Sequence, residues 1–238
     1  MENIQTVIYE KSENIAYVTL NRPQALNAYN TRMRDELYQI LSAIRDDDEV
    51  AVAIIRGAGD KAFCAGADLN DFLTTPSPVA ARRVRRERDV WGLFLSLPQP
   101  VIGALHGFVL GSGVEIALCC DIRIAADDAR FRLPEAELGI IPSAGATQTL
   151  PRAVGQARAL EMLLTARWLD AREACAIGLV NRVVPRAELM TAAEEMAAKI
   201  TRHNQKTVRC AKQAVVRGLD LPLAEGLALE SRLAASLF

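Results

Sequence analysis

The 238-residue sequence predicts an α/β core followed by a helical C-terminal part, on three observations. In the first half, short apolar runs bounded by glycine, proline or polar turns alternate with amphipathic stretches, the order of a sheet covered by helices. Two runs, Val50–Arg56 (VAVAIIR) and Val101–Leu105 (VIGAL), are almost uniformly apolar, as strands buried on both faces are. Beyond the segment 131–155 the chain is Ala-rich and helical in spacing to its end.

Element by element, Thr6–Glu10 and Ile15–Leu20 read as two strands split by the polar turn Lys11–Asn14, and Pro23 ends the second. Over Thr31–Arg45, Met33, Leu37, Ile40, Leu41 and Ile44 fall at helical spacing, with Asn30 or Thr31 as cap. Strand Val50–Arg56 runs into the glycine-rich segment GAGDKAFCAGADL at 57–69. A helix is predicted over Val79–Leu97, stopped by Pro98 and Pro100 ahead of strand Val101–Leu105. Gly111-Ser112-Gly113 introduces a short helix reaching Leu118, and Asp121–Ala125 returns as a strand. No internal repeat or low-complexity linker interrupts the chain.

Composition removes several function classes. The 28 Lys+Arg against 29 Asp+Glu leave a formal charge of −1, too near neutral for holding nucleic acid by bulk charge. At 50% hydrophobic the chain is too apolar for disorder, and no apolar run reaches the length of a membrane span. The amino end, MENIQTVIYEKSENIAYVTL, has no basic region followed by an apolar core, so no signal peptide is expected and a cytoplasmic location is. The five cysteines, Cys64, Cys119, Cys120, Cys175 and Cys210, are odd in number and lack C-x-x-C spacing, which argues for reduced thiols and no zinc site. With only His106 and His203, histidine metal sites and histidine-dependent hydrolysis are short of material, which leaves carboxylates as the acid/base groups. Only five of the basic residues are lysine, and Arg82–Arg88 (RRVRRER) concentrates charge suited either to a solvated helix face or to a phosphate.

Two loops share one physical design: each follows an apolar strand, carries small side chains and leads towards a helix. In 64–69 (CAGADL) and 111–115 (GSGVE) the backbone is unscreened, and N–H groups at a helix start attract negative charge. Two such groups aimed at one carbonyl oxygen make an oxyanion hole. Taken singly, each loop reads first as close packing. Dinucleotide, P-loop and G-x-S-x-G patterns are absent, Leu110 standing at the first glycine of the last, so a serine hydrolase built on Ser112 and His106 is disfavoured. Glu115 lies in an apolar segment, VEIALCC, and Glu135 and Glu137 lie in LPEAELGIIP. A buried pair of carboxyls cannot both ionise freely, which is how one acid and one base coexist near neutral pH. The other reading of these glutamates is a cap or a salt bridge with one of the many arginines.

Four segments then carry a resemblance in register: NRPQALNA at 21–28, AFCAGADL at 62–69, PVIGALHGFVLGSGVEIALCCDIRIA at 100–125 and FRLPEAELGIIPSAGATQTLPRAVG at 131–155, followed by GLVNRVVP at 178–185. Over nearly its full length the chain resembles the enoyl-CoA hydratase/isomerase (crotonase) superfamily. The resemblance implies a spiral of repeated ββα turns over 1–186 carrying an acyl-CoA site, and a helical trimerisation region over 187–238. It places the backbone N–H groups of Ala67 and Ser112 as the oxyanion hole and Glu115 and Glu135 as the catalytic pair, Glu115 activating water and Glu135 donating a proton. Gln24, Ala25, Leu26, Ala65, Ala67, Asp68 and Leu69 fall where CoA is contacted, with 65–69 near the adenine. It implies an acyl-CoA thioester as partner, a homotrimer or dimer of trimers, and no metal, cofactor, nucleic acid or membrane. Holding both glutamates favours hydration of a 2-enoyl-CoA over isomerisation through Glu135 alone or acyl-CoA binding without turnover.

The sequence departs from the family's pattern at a few positions. Ser112, Ser143 and Ala146 stand where glycine is usual, and His106 where asparagine is frequent; His106 is expected buried and hydrogen-bonded, and His203 on the surface. Family members commonly continue beyond the segment that ends here at Phe238, with a further segment that helps cover the ligand and the subunit contact; the sequence is either truncated or that of a short member.

Overall fold

The computed structural model describes residues 5–68, 70–71 and 88–238. Strand β1 (Val7–Ser12) pairs antiparallel with β2 (Ile15–Leu20), in register from Val7–Leu20 to Ser12–Ile15. The turn is thus only Glu13-Asn14, tighter than the four polar residues suggest. Lys11 and Ser12 still pair across the ladder, and Glu13 takes the left-handed conformation (φ 52°) that lets the chain reverse in two residues.

Helix α1 (Thr31–Asp46) starts at Asn30, whose side chain accepts the Met33 N–H at 2.9 Å, and it buries Met33, Leu37, Leu41 and Ile44. Strand β3 (Val52–Gly57) is followed by β4 (Ala62–Cys64), and later by α2 (Val90–Ser96). Residues 79–87 of the predicted 79–97 helix lie outside the described residues, as do residues 82–87 of the arginine cluster. Arg88, its last member, is ion-paired with Asp35. Next come β5 (Val101–Leu105), β6 (Phe108–Leu110) and α3 (Ser112–Cys119), then β7 (Ile122–Ala126), β8 (Arg130–Arg132) and α4 (Ala146–Val154). The strand–strand–helix order repeats, giving the ββα turns of the expected spiral.

The strands sort into two sheets. One has the order β1-β2-β3-β5-β7-β10, with β10 at Arg182–Val184; the other has the order β4-β6-β8-β9, with β9 at Leu169–Asp170. The second sheet is not legible in the sequence because its strands are two or three residues long, too short for alternation to show. The same shortness corrects the expectation of helix alone after residue 155. Between α5 (Gln156–Thr165), α6 (Ala171–Ala176) and α7 (Leu189–Thr201), β9 pairs with β8 and β10 runs parallel to β7. Asn181 leads into β10, its side chain accepting the Arg123 N–H at 2.8 Å.

Strand β3 is buried on both faces, as its composition requires. Ala53 and Ile55 face the cluster that holds α1, α2 and α3, while Val52 and Ile54 face α7 through Leu189, Ala192, Ala193 and Ala197. The alanines let α7 lie close on the sheet. Helices α8 (Gln205–Gly218) and α9 (Leu223–Ala235) close the chain, and Lys212 Nζ ties α8 to the sheet through Asp121 Oδ2 at 2.7 Å and the Gln99 carbonyl at 2.9 Å. All five cysteines are unpaired, and among the described residues no helix is long and apolar enough to cross a membrane.

His106 ends β5 and is 2% exposed, its Nε2–H donating to the Gly59 carbonyl at 3.0 Å. Burial, with the nearby Arg186 charge, lowers its pKa to about 4. The unfolded chain therefore takes the proton first, and stability is lost as pH falls from about 6.5 towards 4. That window is worth about 3 kcal/mol for this ring. His106→Asn is expected to remove most of that loss. Urea midpoints at pH 7 and pH 4.5 check it, and equal pH sensitivity in both proteins would leave the ring out of the account.

Candidate active site

The site is built where the two glycine-rich loops meet. Residues 22–27 turn back sharply, with Leu26 and Asn27 both left-handed (φ 51° and 56°). The fully buried Asn27 side chain holds this turn, donating to the carbonyls of Ala58 and Ala62 and accepting the Arg22 N–H. The turn then grips the 65–68 loop: Ala65 N–H donates to Leu26 O at 3.0 Å, and Arg22 pairs with Asp68 at 2.8 Å. That hydrogen-bonded pairing with Arg22 holds the Asp68 carboxyl below its ordinary pKa.

Tyr29 fixes the loop further. Its N–H donates to Gly66 O and its carbonyl accepts the Asp68 N–H, both at 2.8 Å, as a single parallel bridge to Ala67. In an extended segment successive peptide groups point to opposite sides. With Gly66 O and Asp68 N–H turned to Tyr29, the Ala67 N–H is turned the other way.

The second loop comes against the first. Gly111 (φ 48°) precedes α3, and a Cβ on it would lie 2.9 Å from Glu135 Oε1 and 3.7 Å from Gly66 Cα. Only glycine admits the carboxyl and the neighbouring loop together. Two residues on, a Cβ on Gly113 would stand 2.1 Å from the Cys64 carbonyl oxygen, so α3 sits directly on the end of β4. Among the described residues the N–H groups of Ala67 and Ser112 have no acceptor. Both residues line one cavity of about 560 Å³, with Glu115 and Glu135.

The two glutamates are set in different environments. Glu115, 3% exposed on α3, accepts the N–H groups of Ala144 (2.8 Å) and Ala146 (3.3 Å) on Oε1. Two backbone donors on one oxygen stabilise a charged carboxylate. Glu135, 9% exposed in the 3-10 turn Glu135–Leu138, has its Oε2 enclosed with no hydrogen-bond partner. Burial raises its pKa, and the Glu115 charge acts in the same direction. One cavity thus holds a carboxyl favoured as the anion and one favoured as the neutral acid. Glu137 separates from this pair: it is exposed and ion-paired with Arg132.

Of the residues singled out in the sequence, Ala65, Ala67, Ser112, Glu115 and Glu135 converge on this cavity. Leu26 and Asp68 adjoin it through the Leu26–Ala65 and Arg22–Asp68 contacts, Gln24 and Ala25 stand in the 3-10 turn Pro23–Ala25 just before Leu26, and Leu69 lies outside the described residues. His106 lines a different cavity with Arg56 and Arg186, so Ser112 and His106 are not brought together. His203 is exposed. The walls also contain Tyr29 and Trp91, which no sequence motif marks and which form an aromatic pair with centroids 5.5 Å apart, while Ile140, Ile141 and Pro142 of the 131–155 segment line the cavity. The Ala144 and Ala146 amides that hold Glu115 give no signal in the sequence, because a backbone N–H is common to nearly every residue type.

Comparison with known proteins bears on this arrangement. A family model described as enoyl-CoA hydratase/isomerase matches residues 10–238. A short-chain-enoyl-CoA hydratase of Clostridium acetobutylicum is 42% identical over 228 residues, covering 96% of this chain and 87% of that protein. A crotonyl-CoA hydratase of Syntrophomonas wolfei subsp. wolfei is 41% identical over 228 residues, covering 95% and 87%. The crystal structure of an enoyl-CoA hydratase from Bacillus anthracis matches with a TM-score of 0.92 and 39% identity, covering 97% of this chain and 90% of that one.

Proposed function

The chain belongs to the enoyl-CoA hydratase/isomerase family, and from that premise we propose that it reversibly hydrates a 2-enoyl-CoA thioester to the 3-hydroxyacyl-CoA. The observation that carries the reading is two carboxyls in one cavity, Glu115 with two backbone donors on one oxygen and Glu135 with an enclosed oxygen that has no partner, beside two unclaimed N–H groups. The thioester oxygen sits between the N–H groups of Ala67 and Ser112, and a water lies between Glu115 and Glu135. Glu115 takes a proton from that water as its oxygen bonds to the β-carbon. The electron pair of the double bond moves onto the thioester oxygen, where the N–H groups bind the developing enolate. Glu135 delivers its proton to the α-carbon, restoring the thioester. Proton exchange with solvent then returns Glu115 to the anion and Glu135 to the acid. Dehydration runs the same steps backwards. The reading includes no metal or cofactor, and CoA enters as part of the substrate.

Gln24, Ala25, Leu26, Ala65, Ala67, Asp68 and Leu69 are assigned to CoA. A homotrimer or dimer of trimers in the cytoplasm completes the reading. Apolar side chains left outward on the helices, Leu164 at 72% and Leu223 at 79% exposed, support association.

Crotonyl-CoA tests the reaction. Loss of the conjugated thioester absorbance, with 3-hydroxybutyryl-CoA as product, is the expected result. Persistence of crotonyl-CoA while 3-enoyl-CoA esters convert would make the protein an isomerase instead.

A further inference from the structure

We propose that the Ser112 hydroxyl is a third donor to the substrate's thioester oxygen, alongside the two backbone N–H groups. The proposal rests on the hydratase reading for where the thioester lies. Ser112 is the first residue of α3. At a helix start the free N–H points out along the axis towards the N-terminal side, and the Cα–Cβ bond of every helical residue tilts the same way. The N–H and the hydroxyl of Ser112 therefore open onto the same space.

Three observations bear on what that hydroxyl does. Ser112 is 8% exposed and lines the cavity. Among the described residues its Oγ has no hydrogen-bond partner, yet it is not sealed off as Glu135 Oε2 is, so it stays open to the cavity. Glu115, three residues on, shares its face of α3 and is already engaged by the Ala144 and Ala146 amides. A hydroxyl that opens to the cavity with no protein acceptor is free to donate to whatever acceptor arrives there. The group arriving at this position is the thioester oxygen.

The kinetic signature follows from charge. A hydrogen bond to an oxygen that is becoming an enolate is stronger than one to the neutral carbonyl, so the hydroxyl contributes more to the transition state than to substrate binding. It acts on kcat rather than on KM.

Ser112→Ala removes the hydroxyl and keeps the N–H and the Cβ. The test compares the wild-type protein, S112A, S112G and S112T. The probes are acetoacetyl-CoA, which can place an enolate oxygen in the hole, and butyryl-CoA, which cannot. Affinity for acetoacetyl-CoA is expected to fall about tenfold in S112A and S112G, the effect of losing one hydrogen bond, with butyryl-CoA affinity within twofold. The kcat for crotonyl-CoA falls in parallel with KM little changed, and S112T recovers most of both. Undiminished acetoacetyl-CoA binding in a folded S112A or S112G, or equal weakening of both ligands, overturns the proposal. Selective loss of acetoacetyl-CoA binding in a protein that hydrates no enoyl-CoA leaves the hydroxyl's role standing and removes the hydratase reading alone.

Discussion

Glu115→Gln is expected to lower the rate of crotonyl-CoA hydration by about a thousandfold, the middle of the range for removing a general base. The reason lies in how the carboxyl is held. Both donors, Ala144 N–H and Ala146 N–H, point at Oε1. A glutamine must keep its carbonyl oxygen there, because its NH2 group would meet two other donors. The amide nitrogen is then forced into the position of the other oxygen, where it cannot accept a proton. The substitution leaves shape and packing in place, so thermal unfolding within a few degrees of wild type and unchanged butyryl-CoA affinity are expected with it. Full retention of the rate would remove Glu115 from the reaction.

Glu135→Gln is expected to cost about a hundredfold to a thousandfold in the same assay while moving stability the opposite way. Glu135 has an enclosed oxygen without a partner, and burial raises its pKa. A carboxyl whose folded pKa is raised contributes stability that is fully present below its unfolded pKa and is lost as pH rises through the folded one. Glutamine has no such loss. The melting temperature of the variant relative to wild type should therefore climb as pH rises above the ordinary carboxyl range. The climb is about 3–5 °C for each tenfold by which folding tightens the carboxyl's hold on its proton, in a chain of this size. The wild-type rate should fall over the same rise in pH as the acid loses its proton. Parallel melting curves for the two proteins across that range would mean that Glu135 is not the neutral partner.

Both predictions rest on features that the sequence discloses unevenly. Ile15–Leu20 and Val101–Leu105 are strands with the bounds their apolar patterns suggest, and Asn30 caps α1 because an amide side chain at that spacing reaches the third N–H. Glu115 and Glu135 stand out through their apolar surroundings and through motifs in register. What stays hidden is backbone chemistry and short pairing. The donors that hold the Glu115 carboxyl are main-chain amides on either side of a glycine with φ 114°, which no side-chain type marks. The strands β4, β6 and β8 carry three residues each and borrow their regularity from neighbours distant in sequence. Glu135 and Glu137 look alike in the sequence, and only the 3-10 turn decides that one faces the cavity and the other faces Arg132.

The bridge between Tyr29 and Ala67 has a consequence for how such a site evolves. Tyr29 orients the Ala67 N–H with its own main chain, while its ring forms part of the cavity wall against Trp91. The contacts that hold the reaction geometry belong to atoms that nearly every amino acid possesses. Those that shape the cavity wall belong to the side chain alone. On the proposed hydratase reading, a lineage can exchange residue 29 and sample new substrates while the donor keeps its aim, so selectivity and chemistry at this position are separately heritable.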